Sequence, residues 1–414
     1  MVQKMELLAP IGGFDQLRAA IRFGATAVYG GMKEYGLRAF AGNFDKEELK
    51  QAVAYAHEHH VLFYVTMNIL PTDEDMPGFL QAARNAAEAG VDAAIVSDVG
   101  AAAMLHEELP QLDIHISTQA NVLNSRTAVH YQKALGATRI VLSRELSLED
   151  ITTLRASIPD NLELEAFVHG AMCVSYSGRC LLSTAIIGRS GNRGACAQPC
   201  RWKYHIMEEK RPGEYYPIDE DASGTYLLSA YDLCMLPHLP KLRDAGIMSL
   251  KIEGRMKTAY YVSAVVSAYR RGLDIMENQG DEAFYAAVPE LMDEVTKASH
   301  RKSNTGFYFG APEPAAGADG FEQRTEYLAD VVIGAKAGER ATINLKNRLH
   351  VGDEVEALTP RGSFPFTAQQ LYIEKSGEAI DAPSVAGTLL QTTFPFDIET
   401  GDIIRGEKHK HSRK

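Results

Sequence analysis

Strand and helix patterns alternate from Glu6 to Arg271, and this order predicts a (β/α)8 TIM-like barrel followed by a small C-terminal antiparallel β-barrel domain. Three observations carry the prediction. The strand segments are short, apolar and largely unalternated, as strands covered on both faces are. Their C-terminal ends are polar, and barrels of this kind build their sites there. Beyond Gly320 the helical period gives way to short alternating segments with regular turns.

In order, the predicted barrel strands are Glu6–Ala9, Ala27–Gly30, Leu62–Asn68, Ala93–Asp98, Asp113–Gln119, Arg139–Arg144, Leu164–His169 and Ser249–Arg255. Helices are predicted at Phe14–Phe23, Lys46–His59, Met76–Ala89, Ala101–Glu108, Ser125–Leu135 and Leu148–Ser157. Asp45 and Ser147 supply N-terminal caps, and Gly24, Gly90 and Gly136 supply stops. The runner-up, a doubly wound open sheet, loses ground because no GxGxxG follows an early strand. A long interruption separates strands seven and eight, with an acidic loop at Arg211–Thr225 and a predicted helix at Asp232–Asp244. Cys234 on that helix reads as a buried core thiol. After the barrel come helices at Tyr260–Arg271 and Asp281–Ser299, then a Gly/Pro/Ala linker at Gly306–Gly320. The resulting domains are 1–275, with a Cys-rich insertion at 170–225, a connector and linker at 276–323, the β domain at 324–407 and a basic tail at 408–414.

The net charge of −12 argues against nonspecific nucleic-acid binding by the whole surface. Between Gly170 and Pro212, however, seven basic residues face two acidic ones, which makes a local basic patch. No apolar run is long enough for a membrane span, and the N-terminus has no signal-peptide pattern, so a cytoplasmic chain without membrane contact is predicted.

Four of the five cysteines, Cys173, Cys180, Cys196 and Cys200, fall in one stretch with the spacing C-x6-C-x15-C-x3-C. The total is odd and the chain reads as cytosolic, so clustered thiols point to metal or redox chemistry rather than disulfides. Four thiolates suit a [4Fe–4S] cluster or a structural zinc, and the spacing alone leaves iron–sulfur, zinc and no metal open. Protease signals are poor. The HEHH run at His57–His60 lacks the gap of HExxH, and no GxSxG elbow exists. A Cys173 nucleophile paired with His169 would leave three further thiols without a role.

The polar strand ends supply the remaining candidates. His169, Glu253, Asn68 and Gln119 are the candidate catalytic groups. Arg144, Lys251 and Arg255 form a candidate clamp for an anionic small molecule. Arg193, Trp202 and Tyr176 are candidates for binding phosphates and a stacked base, with Tyr204 close by in sequence.

The segments ELLAPIGGFDQLRAAIRFGATAVYGG, FVHGAMCVSYSGRCLLS, GACAQPCRWKY and SLKIEGRMKTAYYV resemble the collagenase-like peptidase family U32 over nearly the whole chain. Within it the chain most resembles the branch that makes 5-hydroxyuridine at the tRNA wobble position. That resemblance implies oxygen-independent hydroxylation of tRNA, dependent on prephenate, at a cysteine-ligated iron–sulfur centre. It implies Cys173, Cys180, Cys196 and Cys200 as ligands, with Cys234 as a substitute for Cys200. It also implies that the β domain, similar to the second domain of translation factors, presents tRNA to the barrel mouth. A protein partner of the same family is a further implication. A collagenase-like peptidase and a noncatalytic RNA-binding protein are the alternatives.

Overall fold

A computed structural model describes residues 4–37, 42–173, 175–202, 206–207, 215–216, 231–311 and 322–407. Strands β1 (Glu6–Pro10), β2 (Ala27–Gly31), β3 (Leu62–Met67), β4 (Ala93–Val96), β5 (Asp113–Ile116), β6 (Ala137–Val141) and β7 (Glu163–Ala171) pair in parallel, each with the next. The short strands β8 (Ile206–Met207), β9 (Tyr215–Tyr216) and β10 (Asp232–Cys234) come next, within the interruption, and β11 (Ser249–Ile252) then pairs in parallel with both β7 and β1. That double pairing closes the predicted eight-stranded parallel barrel.

Helices α1 (Phe14–Arg22), α2 (Lys46–Glu58), α3 (Met76–Ala89), α4 (Val99–Glu108), α5 (Ser125–Leu135) and α6 (Leu148–Ala156) connect the strands. Their caps are those expected: Asp45 and Ser147 complete capping boxes, and Gly90 and Gly136 end α3 and α5 in the left-handed region. Several strands end earlier than predicted because their polar last residues cap the next element. Asp98 accepts from the Ala101 amide at 2.9 Å and opens α4, and Ser117 caps a 3-10 turn over 118–120.

Two features of the interruption differ from expectation. A helix, α7 (Leu182–Ile187), forms between the second and third cysteines. Asp232–Asp244 is a strand, β10, then a 3-10 turn and only a short helix, α8 (Leu239–Asp244). The reason is tertiary: β10 pairs antiparallel with the end of β7, Asp232 opposite Ala171 and Cys234 opposite His169, while Pro237 and Pro240 keep the helix from starting before Leu239. A two-residue strand, β12 (Ser303–Asn304), lies parallel to β10.

Beyond the barrel, α9 (Ala259–Gln279) and α10 (Asp281–Lys297) pack against each other and lead to the second domain. This domain is a wholly antiparallel eight-stranded sheet of β13 (Thr325–Ile333), β14 (Arg340–Leu345), β15 (Glu354–Thr359), β16 (Gly362–Thr367), β17 (Leu371–Ile373), β18 (Ala379–Ile380), β19 (Leu389–Thr393) and β20 (Ile403–Glu407). It has its own apolar core around Leu328, Ile343, Leu371 and Leu390. A buried polar joint fixes it to the barrel: Arg405, fully buried, is ion-paired with Glu294 of α10 and bonds Ser363 Oγ at 2.7 Å and Glu356 at 2.8 Å. The predicted basic tail and most of the predicted acidic loop lie outside the described residues. No described helix is long and apolar enough to cross a membrane.

Candidate active site

The C-terminal ends of the barrel strands surround a cavity of about 80 Å³. Its walls bring together Asn68, Gln119, Arg144, Lys251, Glu253 and Arg255 from the strand ends, together with Cys173 from the start of the interruption. Three cations therefore face one carboxylate. Each cation is already held in place. Lys251 Nζ bonds Glu165 Oε1 at 2.6 Å and sits 4.3 Å from the Tyr29 ring centroid. Arg255 donates to Thr66 Oγ1 at 2.9 Å and Asn43 Oδ1 at 2.5 Å. Arg144 donates to the Ala171 carbonyl and the Ser177 hydroxyl, with its guanidinium 5.5 Å from the Phe167 ring. Burial works to lower the Arg144 value, but the adjacent Cys173 sulfur, Glu145 and Glu253 hold its proton more firmly than usual. Cations fixed before binding lose little freedom when an anion arrives.

Two further groups point to a ligand in this cavity. Asn68 Oδ1 accepts the Leu37 amide at 3.2 Å, which fixes its side chain at the rim. The Gln119 side-chain oxygen is buried with no hydrogen-bond partner among the described residues. Gly178 lets the interruption pack onto Gln119: its φ is +73°, and a Cβ there would meet the Gln119 carbonyl at 2.6 Å.

The barrel interior joins an apolar cluster of Leu8, Ala27, Tyr29, Tyr64, Ala93 and Ile95 to a charged network. Arg139 bonds Glu6, Glu163 and Glu165, and Tyr64 and Ser249 also donate to Glu6. Glu165, Arg139, Glu6 and Tyr29 were not anticipated from the sequence. The available signal was charge at alternating positions of a barrel strand, Glu163 and Glu165 in LELEAF, which places both on one face.

His169 is not among the cavity-lining residues. The pairing of β7 with β11 shifts register between Lys251 and Ile252, and the His169 ring packs instead beside Tyr269 and Tyr261 of α9, with centroids 5.5 and 6.2 Å away. Burial, with smaller contributions from His300 and Lys257, pushes its imidazole down to about 3, so it stays neutral and is poorly suited to act as a base. Arg193 is likewise engaged elsewhere, in a two-pronged ion pair with Asp75. Tyr176 and Trp202 are exposed on the interruption. Lys203, Tyr204, Lys210 and Arg211 lie outside the described residues.

All five cysteines are thiols rather than half-cystines. Cys173, Cys180, Cys196 and Cys200 lie on the one interruption, exposed or half-buried, and Cys173 lines the cavity. In kind and number they fit an iron–sulfur cluster or zinc. Their side chains are not drawn together: among the described residues no three His, Cys, Asp or Glu side chains are placed to hold one metal ion. The Cys196 sulfur accepts the Gln198 amide at 3.3 Å. Cys234 is buried in the core with its sulfur 3.8 Å from Met292 Sδ, and burial pushes its thiol up to about 11.

The chain also matches known proteins. The model of peptidase family U32 matches residues 12–317, and that of the peptidase family U32 C-terminal domain matches residues 323–405. The chain is 34% identical to tRNA hydroxylation protein P of Escherichia coli (strain K12), covering 96% of this chain and 95% of that protein. It is 32% identical to the 23S rRNA 5-hydroxycytidine C2501 synthase of the same organism, over 91% of this chain and 55% of that protein. It is 30% identical to a collagenase of Porphyromonas gingivalis, over 87% of each.

Proposed function

The chain belongs to peptidase family U32, and from that premise we propose that it is an RNA-modifying enzyme that hydroxylates tRNA. In the finer form of this reading, the wobble uridine becomes 5-hydroxyuridine without dioxygen, with prephenate as co-substrate. The observation that carries it is the cavity itself: Arg144, Lys251 and Arg255 face one carboxylate beside Cys173. Prephenate is a dicarboxylate, and two of these cations match its two charges while the third remains for phosphate or the reacting oxygen. Gln119, with its unpartnered oxygen, is placed to read a donor such as the N3–H of uracil.

Cys173, Cys180, Cys196 and Cys200 are the proposed ligands of a [4Fe–4S] cluster. Such a cluster would supply electron transfer that no side chain supplies. Cys234 is a poor substitute ligand because it is packed into the core and its thiol resists ionisation.

The RNA meets the barrel mouth. Tyr176 and Trp202 offer exposed rings on the interruption, and an anticodon loop is already single-stranded. The C-terminal domain is a poor match for RNA, since residues 322–407 carry fourteen acidic and eight basic side chains.

The peptidase reading loses the base paired with Cys173 in sequence: burial holds His169 neutral, and its ring packs beside Tyr269 and Tyr261 rather than lining the cavity. The test is to purify the protein without oxygen, record its iron content and visible spectrum, and measure 5-hydroxyuridine in tRNA from a strain lacking the gene. Iron-bearing, coloured protein and loss of the modified base are expected. Colourless, iron-free protein with unchanged tRNA would overturn the reading, and gelatin cleavage by iron-free protein would favour the collagenase alternative.

A further inference from the structure

The cysteine segment is anchored to the barrel at two separate places. Its first half is held by the loops after β5 and β6. Arg144 donates to the Ala171 carbonyl at 3.3 Å and to Ser177 Oγ at 2.5 Å, bracketing Cys173. Asn121 Nδ2 donates to the Ser177 carbonyl at 2.8 Å, and Arg179 Nε donates to Asn121 Oδ1 at 2.9 Å. None of these contacts reaches the second half.

The second half is held by the loop between β3 and α3. Arg193 Nη1 and Nη2 donate to the two carboxylate oxygens of Asp75 at 2.7 and 2.9 Å, and Nη1 also reaches the Leu70 carbonyl at 3.3 Å. The Leu70 amide returns a bond to the Asn192 carbonyl at 3.3 Å. Asp75 is aimed before Arg193 arrives, because its Oδ2 accepts both the amide and the hydroxyl of Thr72, at 2.7 and 2.8 Å. The turn that carries Arg193 lies against Cys196: a Cβ built on Gly191 would stand 3.5 Å from the Cys196 Cβ and 3.7 Å from its Sγ. The same turn is closed by Ala195 donating to Ser190 and by Arg189 Nε donating to the Ala195 carbonyl.

We infer that Asp75 is a positioning residue for Cys196: through Arg193 it latches the second half of the cysteine segment to the β3–α3 loop, and Arg193 serves that latch rather than the substrate. Most exposed ion pairs fix little. This one is bidentate, preset on its acidic side and reinforced by two bonds to the Leu70 backbone, which is the geometry in which an exposed pair does hold a loop. The latch stands on these contacts alone. Its consequence for metal loading rests on the functional reading above.

The test uses iron-free full-length protein and measures amide hydrogen exchange by mass spectrometry on peptides from the two halves of the segment. Asp75→Asn and Arg193→Gln are each expected to speed exchange at Ala195, whose amide closes the turn on the Ser190 carbonyl, by about fivefold or more, while exchange at Arg179 in the first half stays within about twofold, since only the second half opens. The double variant is expected to match the singles, because the two residues act as one unit. Wild-type protein in about 1 M salt is expected to move in the same direction. After anaerobic iron and sulfide reconstitution, both singles are expected to bind less iron per chain, and the charge swap Asp75→Arg with Arg193→Asp to regain part of it. If Arg193→Gln raised only the KM for tRNA, with exchange at Ala195 unchanged and Asp75→Asn silent, Arg193 would be a substrate contact and the latch would be refuted. Fast exchange at Ala195 with no effect on iron would leave the latch standing and count against the ligand assignment instead.

Discussion

Lys251 Nζ lies 2.6 Å from Glu165 Oε1, and both side chains are closed off from water at the floor of the cavity. The second Glu165 oxygen is taken by Arg139 Nη1 at 3.2 Å, so the carboxylate cannot follow Lys251 upward without leaving a buried guanidinium less well paired. Lys251→Ala is therefore expected to lower the unfolding free energy by about 3–5 kcal/mol in urea titration, the usual cost of stranding a buried charge. A loss below about 1 kcal/mol would show that the pair is hydrated in solution.

The cysteines are expected to separate by role. Cys173→Ala and Cys196→Ala should abolish wobble hydroxylation and sharply reduce bound iron, with the far-ultraviolet spectrum unchanged because neither thiol packs in the core. Cys234→Ala should leave iron content intact and cost about 1 kcal/mol of stability, as a small cavity beside Met292 does. Loss of iron in the Cys234 variant alone would reverse the assignment.

His169 makes acid stability titratable. Its folded value is depressed to about 3, whereas in the unfolded chain it titrates near the ordinary 6.5. As pH falls below 6.5 the unfolded chain takes up a proton that the folded chain refuses, so stability declines, by at most about 1.4 kcal/mol per pH unit from this group, until about pH 3. His169→Phe is expected to flatten the slope of unfolding free energy between pH 6.5 and about 5. An unchanged slope would mean the imidazole is protonated in the fold.

The joint between the domains should fail as a unit. Burial pushes the Glu294 carboxyl upward, but its bonds to Arg405 outweigh this and hold it below its ordinary value of 4.5. The stabilisation is thus complete above pH 4.5 and lost as pH falls through the lowered value. At neutral pH Glu294→Ala leaves the fully buried Arg405 with Glu356 as its remaining carboxylate partner, and a loss of about 1.5–3 kcal/mol, that of hydrogen bonds to a charged group, is expected. Calorimetry should then show two transitions where the parent shows one. A single unshifted transition would count against the joint.

The barrel was legible because its signals are local and periodic: apolar strands, capped helices, and polar ends that converge once the sheet closes. The cavity residues Asn68, Gln119, Arg144, Lys251, Glu253 and Arg255 followed from that rule. What escaped depends on pairing between distant segments. Asp232–Cys234 has no local strand signature and becomes one only beside Gly170 and Ala171. His169 looked like a strand-end group until the register shift against β11 set it against α9. Arg193 looked like a free cation because its partner, Asp75, is more than a hundred residues away.

The antiparallel step in which Ala171 faces Asp232 brings the two ends of the interruption together as paired strands, so the barrel itself closes its neck. Lengthening a loop whose ends are already fixed costs little, about 0.6 kcal/mol per doubling. Between its anchors at Arg144, Asn121 and Asp75 the segment can therefore change length at small cost while the strands beneath it keep their register.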